Sequence, residues 1–159
     1  MSKRTLANPV DKQQIVERLH KIQPSSHRLW GRMTAPQMIC HLADSFRVTT
    51  GEKNWTTKRI SVTWIPVPCW FVKWVTLELP LSWPRGVRTR PEVDQGLAGT
   101  PPKEFKADLD DLLRLLDRSS GHPKDFQWQP HPIFGLMGDA DWMRWGYLHM
   151  DHHLRQFGF

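Results

Sequence analysis

The segment His149-Met150-Asp151-His152-His153-Leu154-Arg155-Gln156 carries the side chains best suited to chemistry in this 159-residue chain. At about 100° per residue, a helix stacks His149 and His153 one turn apart on one side. Trp142, Trp145, His152 and Gln156 fall in the same sector, and Asp151 points roughly the other way. The tryptophans mark that sector as the one facing the core, so three imidazoles and an amide are directed inward. A buried polar group without a partner costs on the order of 1–3 kcal/mol, so each of them needs one. A divalent metal is one such partner, because it takes neutral imidazole nitrogens and an i, i+4 pair brings two of them to one point. A backbone carbonyl is the other, and for a lone core histidine it is the commoner. Metalloprotease helices carry Glu directly after the first histidine; Met150 stands there, which excludes that mechanism. A third metal ligand has to come from another helix, and His41 is the candidate.

Five stretches read as the elements that position these residues. Asn8-Pro9 opens the first, with Ile15, Val16, Leu19 and Ile22 as its apolar stripe. Thr34-Ala35-Pro36-Gln37 is a capping box, and Met38, Ile39, Leu42, Ala43 and Phe46 follow it to an end near Thr49 to Gly51. His41 lies beside that apolar face, whereas Cys40 projects about 100° away and reads as a core or interface thiol. A buried bundle helix is expected from Pro66 to Leu79, packed by Trp64, Trp70, Trp74 and Trp83. Pro66, Pro68, Lys73 and Glu78 interrupt the apolar run there, and it falls short of the about 20 residues of a membrane span. Leu81 to Pro102 is a long loop of the kind that forms a lid or rim. Lys103 to Arg118 repeats Phe105, Leu109, Leu112, Leu113 and Leu116 at helical spacing, with Ser119-Ser120-Gly121 ending it. After a loop from Gly121 to Gly138, the last helix runs from Asp139 as N-cap to Phe157, with Gly158 at its close. With no alternating strand, internal repeat or linker, residues 1–159 read as one all-α domain, a helical bundle.

Composition narrows the function. Lys and Arg number 22 against 16 Asp and Glu, a formal charge of +6, but they are scattered without a dense run or a recognition-helix pattern. Nucleic acid and membrane are therefore not expected as partners. Two cysteines exclude a disulfide framework and a Cys-rich zinc ribbon. No apolar stretch follows MSKRTLANPV, so a cytoplasmic location is expected. No nucleophile elbow, dinucleotide loop or phosphate loop occurs. Trp142 and Trp145 are assigned to the wall of a substrate pocket together with Gln156, bundle core being the other use of the two indoles. Arg85, Arg88 and Arg90, on the long loop, would either receive a carboxylate or stand as solvated charge.

Met38-Ile39-Cys40-His41-Leu42-Ala43-Asp44-Ser45, followed by His149-Met150-Asp151-His152-His153-Leu154-Arg155-Gln156, resembles the DinB/YfiT-like superfamily. His131-Pro132, Phe134-Gly135 and the His153 to Phe157 ending are similar to a bacterial branch of it without an assigned function. The resemblance runs from about residue 10 to the C-terminus. It implies a four-helix bundle with additional short helices and long loops, often a homodimer. It also implies a divalent metal, Zn or Ni, on His41, His149 and His153, with His152 supporting those ligands or handling protons. Read from their position one turn beyond His41, Asp44 and Ser45 would either orient it or stand as polar residues near the helix end. Three neutral ligands leave open coordination positions, as at catalytic sites. Relatives with known chemistry use a low-molecular-weight thiol as cosubstrate, and others are described only as metal-dependent hydrolases. The resemblance thus implies attack by a thiol or water on a small electrophilic substrate, S-transferase- or hydrolase-like. The alternative is a non-catalytic, stress-related or ligand-binding domain on the same bundle.

Overall fold

The computed structural model describes residues 3–54, 67–79 and 82–159. Five helices occupy them: α1 (Pro9–Lys21), α2 (Ala35–Thr49), α3 (Cys69–Glu78), α4 (Phe105–Gly121) and α5 (Asp139–Gln156). The described residues contain no strand, only an isolated bridge between His131 and Gly135. α2 lies along α4, while α1 and α3 pack on α5. Buried apolar side chains from all five helices join in one cluster. None of the helices is long and apolar enough to cross a membrane.

Every residue of α2 from Met38 to Phe46 is buried. A helix covered on all sides holds the centre of the bundle, and each of its polar side chains then needs a local partner. Ser45 and Thr49 find theirs on their own helix, donating to the carbonyls of His41 and Phe46 at 2.8 Å each. Met38, Ile39 and Leu42 are wholly buried, each worth about 1.5–3 kcal/mol. The start of α2 is the capping box expected, with Thr34 Oγ1 accepting from Gln37 N–H and Gln37 Oε1 accepting from Thr34 N–H.

Three expectations about boundaries and burial are corrected. α4 continues through Ser119 and Ser120, because both hydroxyls donate back to carbonyls of the preceding turn, Leu115 at 2.8 Å and Leu116 at 2.7 Å. α5 is capped at Gly138, whose N–H reaches Asp141, because the Asp139 carboxylate is taken by the Trp128 indole N–H at 2.8 Å. α3 is not a buried bundle helix: Trp70 and Trp74 are 66% and 49% exposed, and only Leu77 is fully covered. Apolar side chains spread around all sides of these ten residues, between Lys73, Thr76 and Glu78, give no clear stripe to choose a face, and only one side of α3 meets α5. The expected start at Pro66 and Trp64 lie outside the described residues.

The expected long loop, described from Ser82 onward, folds back onto α2. Pro91–Val93 forms a 3-10 turn against α2, and turns over 95–98 follow it. Asp44 ties this loop down, accepting from Thr100 N–H at 2.6 Å, Thr100 Oγ1 at 2.8 Å, Lys53 at 2.9 Å and Arg47 at 3.1 Å. At the N-terminus, Leu6 is inserted beside Gly146, where a Cβ would stand 2.6 Å from Leu6 Cδ1. The absent side chain at 146 is what lets the N-terminal segment pack on α5.

Candidate metal centre

His41 on α2 and His149 and His153 on α5 meet across the bundle, each with a ring nitrogen within 4.8 Å of the others. Their ring centroids form a near-equilateral triangle of 4.7, 4.9 and 5.2 Å. The Nε2 atoms of His41 and His149 are 3.2 Å apart.

Outer contacts set which nitrogen faces inward. His41 Nδ1 is 2.7 Å from the carbonyl of Val93, which only accepts, so Nδ1 carries the proton and Nε2 presents its lone pair. His153 Nδ1 is 3.0 Å from Gln156 Oε1, and Gln156 Nε2 donates to the Trp30 carbonyl at 2.9 Å. That second bond fixes the amide's orientation, so His153 Nδ1 donates and its Nε2 is also a lone pair. Metal-ligating histidines are held in this way, with the outer N–H on a carbonyl or amide and the inner nitrogen bare.

Electrostatics point the same way. Burial pushes His149 and His153 well below the ordinary histidine value, with neighbouring imidazoles adding to it. His41 is lowered by burial too, against the opposing pull of the Val93 carbonyl. All three are neutral at pH 7. Two ligands on a tetrahedral zinc at about 2.0–2.1 Å stand about 3.3 Å apart, close to the 3.2 Å between His41 and His149. The donor set therefore fits a divalent cation, and because all three donors are neutral, the cation's full charge would remain to attract an anionic nucleophile.

The other side chains expected in the site are distributed differently. His152 does not face the core with its neighbours. It stands beside a pocket of about 290 Å³ lined also by Trp30, Trp83, Arg85, Asp151 and Arg155. Its ring meets Trp30 at 4.7 Å, Trp83 at 6.1 Å and His153 at 5.3 Å. Burial, then the Arg155 charge, lowers its pKa. Trp142 and Trp145 are buried and line no part of that pocket. Trp142 stacks on Trp128 at 5.7 Å, and Trp145 lies against His149 at 4.6 Å. Gln156 is likewise buried, spanning His153 and the Trp30 carbonyl. Asp44 and Ser45 do not touch the His41 ring; Asp44 acts at a distance, by anchoring the loop that brings Val93 to it. Cys40 is a core thiol, its pKa pushed up to about 12 by burial and then by Asp108.

Sequence reasoning missed Val93 and Trp30, and named His131 only through the resemblance of its His131-Pro132 and Phe134-Gly135 segment. Val93 contributes only a carbonyl, which no side-chain pattern reveals. Trp30 is placed by Gly31, whose φ of +84° suits glycine and whose Cβ would come within 2.2 Å of Gln156 Nε2. His131 accepts from the N–H groups of Ile133 and Phe134 at 3.2 Å, stacks on Phe134 at 4.2 Å, and is lowered to about 3 by burial and then by Arg90. Its tight His-Pro-x-x-Gly turn was the one available signal.

Over residues 10–158 the chain matches a family described as a protein of unknown function, DUF1569, and it belongs to that family. No curated protein and no solved structure matches it.

Proposed function

We propose that this DUF1569 member is a metal-dependent enzyme of DinB/YfiT type, in which His41, His149 and His153 hold Zn²⁺ or Ni²⁺. The reaction is attack by a low-molecular-weight thiol or water on a small electrophile, S-transferase- or hydrolase-like. The observation that carries this reading is the convergence of three neutral imidazoles, two of them held by Nδ1 so that Nε2 faces the common point. One ligand on the second helix and two on the last, with only helices and no strand among the described residues, supports the bundle assignment.

A bound ion of this kind lowers the pKa of water or a thiol that reaches it and supplies a nucleophile near neutral pH. The chain's own residues do the rest. Val93 and Gln156 hold His41 and His153 in one tautomer. Trp83, stacked on His149 at 5.9 Å, and Trp145 line that imidazole with apolar surface. His152 is neutral at pH 7 and lies between the pocket and His153, so a ring nitrogen there would take the proton released when the nucleophile forms.

The test is metal content by elemental mass spectrometry on tag-free protein. About one equivalent is expected in the wild type. It should be lost in His41→Ala, His149→Ala and His153→Ala and kept in His152→Ala. Absence of metal after reconstitution of a folded wild type would overturn the proposal and leave a non-catalytic ligand-binding domain.

A further inference from the structure

Beside the histidine cluster, the pocket on the outer side of α5 has a composition that the metal reading does not use. Its volume of about 290 Å³ lies at the small end of ligand sites. Trp30 and Trp83 give it flat apolar walls, and Arg85 and Arg155 give it two guanidiniums. One carboxylate lines it, Asp151, and that group is already committed: Oδ1 accepts from Arg18 at 2.7 Å, while Arg155 reaches Oδ2 only at 3.4 Å. Arg18 is itself held in place by the Phe159 carbonyl at 2.8 Å. Arg85 lies over the Trp30 ring, 5.0 Å from its centroid, and makes no ion pair among the described residues. The pocket therefore carries surplus positive charge in a partly apolar enclosure, the condition under which a guanidinium recognises a carboxylate strongly.

We infer that this pocket selects a small, flat organic anion, its carboxylate on Arg85 and Arg155 and its body against the indoles of Trp30 and Trp83. Trp83 touches both His149 and His152, so a molecule seated there lies one side chain away from the three-histidine cluster. Its place as the substrate subsite rests on the metal reading; its preference for anions does not. A neutral molecule of the same shape would fill the walls but leave Arg85 without an ion-pair partner among the described residues and Arg155 with only its long contact to Asp151. A cation would meet like charge on entry. The class of electrophile is thereby narrowed to planar carboxylates.

Titration calorimetry of the full chain with 2-naphthoate and with 2-naphthamide, the same ring without the charge, tests this. The carboxylate should bind about tenfold tighter than the amide, the worth of one charge-assisted hydrogen bond at a partly exposed site. Arg85→Gln and Arg155→Gln should each remove most of that difference, leave amide binding unchanged, and leave metal content as in the wild type. His149→Ala should keep naphthoate affinity. Equal binding of both probes, binding of neither, or wild-type affinity in both arginine variants would overturn the inference. Affinity lost in His149→Ala but kept in the arginine variants would place the carboxylate at the histidine cluster, overturning the pocket inference and sparing the metal reading. Arginine-dependent binding in a chain that takes up no metal would uphold the pocket and sink only the metal reading.

Discussion

His152 and His153 are consecutive, yet they belong to different regions. His153 faces the bundle, is 9% exposed, and has its Nδ1 tied through Gln156 to the Trp30 carbonyl. His152 faces the outer pocket, in ring contact with two indoles and under the field of nearby arginines. A rotation of about 100° along one helix separates a side chain held in one tautomer from one left to respond to what enters the pocket. The difference teaches that the histidines of this helix are distinguished by what stands opposite them rather than by their own type.

The largest expected effect breaks that pair apart. His153→Ala should abolish metal binding and with it any thiol- or water-dependent turnover, whereas His152→Ala should keep the metal and lower turnover by about 10²–10⁴-fold, the usual worth of a general base. Metal content and turnover measured on both variants check this. Next comes the anchor of the inner face. Burial works to raise the Asp44 pKa, but bonds from Thr100 and Lys53 outweigh it and hold the carboxylate ionised. Asp44→Asn should cost about 2–3 kcal/mol in denaturant unfolding and weaken metal binding through the freed Val93 loop, with naphthoate affinity unchanged.

A smaller effect is expected at the link between the two faces. Gln156→Leu should weaken metal affinity about 10–100-fold, as loss of an outer partner does, and also loosen Trp30. Competition with a metal-sensitive dye reads the first, and naphthoate affinity the second. The last is a slope, shared among several imidazoles. His41, His131, His149 and His153 are held below the ordinary value by burial, so the unfolded chain binds more protons below about pH 6.5. Stability is complete above that pH and should fall on acidification by about 1.4 kcal/mol per pH unit for each such imidazole. Unfolding at pH 7.5, 6 and 5 checks it. His131→Ala should flatten the slope, and His152→Ala, removing an imidazole that is lowered too, should flatten it in the same direction.

Much of the inner face was legible. The i, i+4 spacing of His149 and His153 and the capping box ahead of His41 both appear where expected, because helix periodicity and capping are local rules. The outer face was not. Sector arithmetic put His152 with its neighbours, yet the Trp30 segment, folded against the end of α5 by the Leu29 N–H to Gln156 carbonyl bond at 2.7 Å, makes that side a pocket wall. α3 shows the same limit, since apolar residues spread around the helix cannot state which side is covered.

By itself the sequence determined the helical segments, the capped starts of α1 and α2, and the residue types able to bind a cation, because backbone capping and the 3.6-residue period depend only on neighbours along the chain. Tertiary structure alone decided that His41 meets the pair on α5, that Val93 and Gln156 choose their tautomers, and that Trp30, Trp83 and Arg85 gather beside His152. Those contacts join residues up to 126 positions apart. Only the packing of the core and the loops it clamps can bring such groups within hydrogen-bond range.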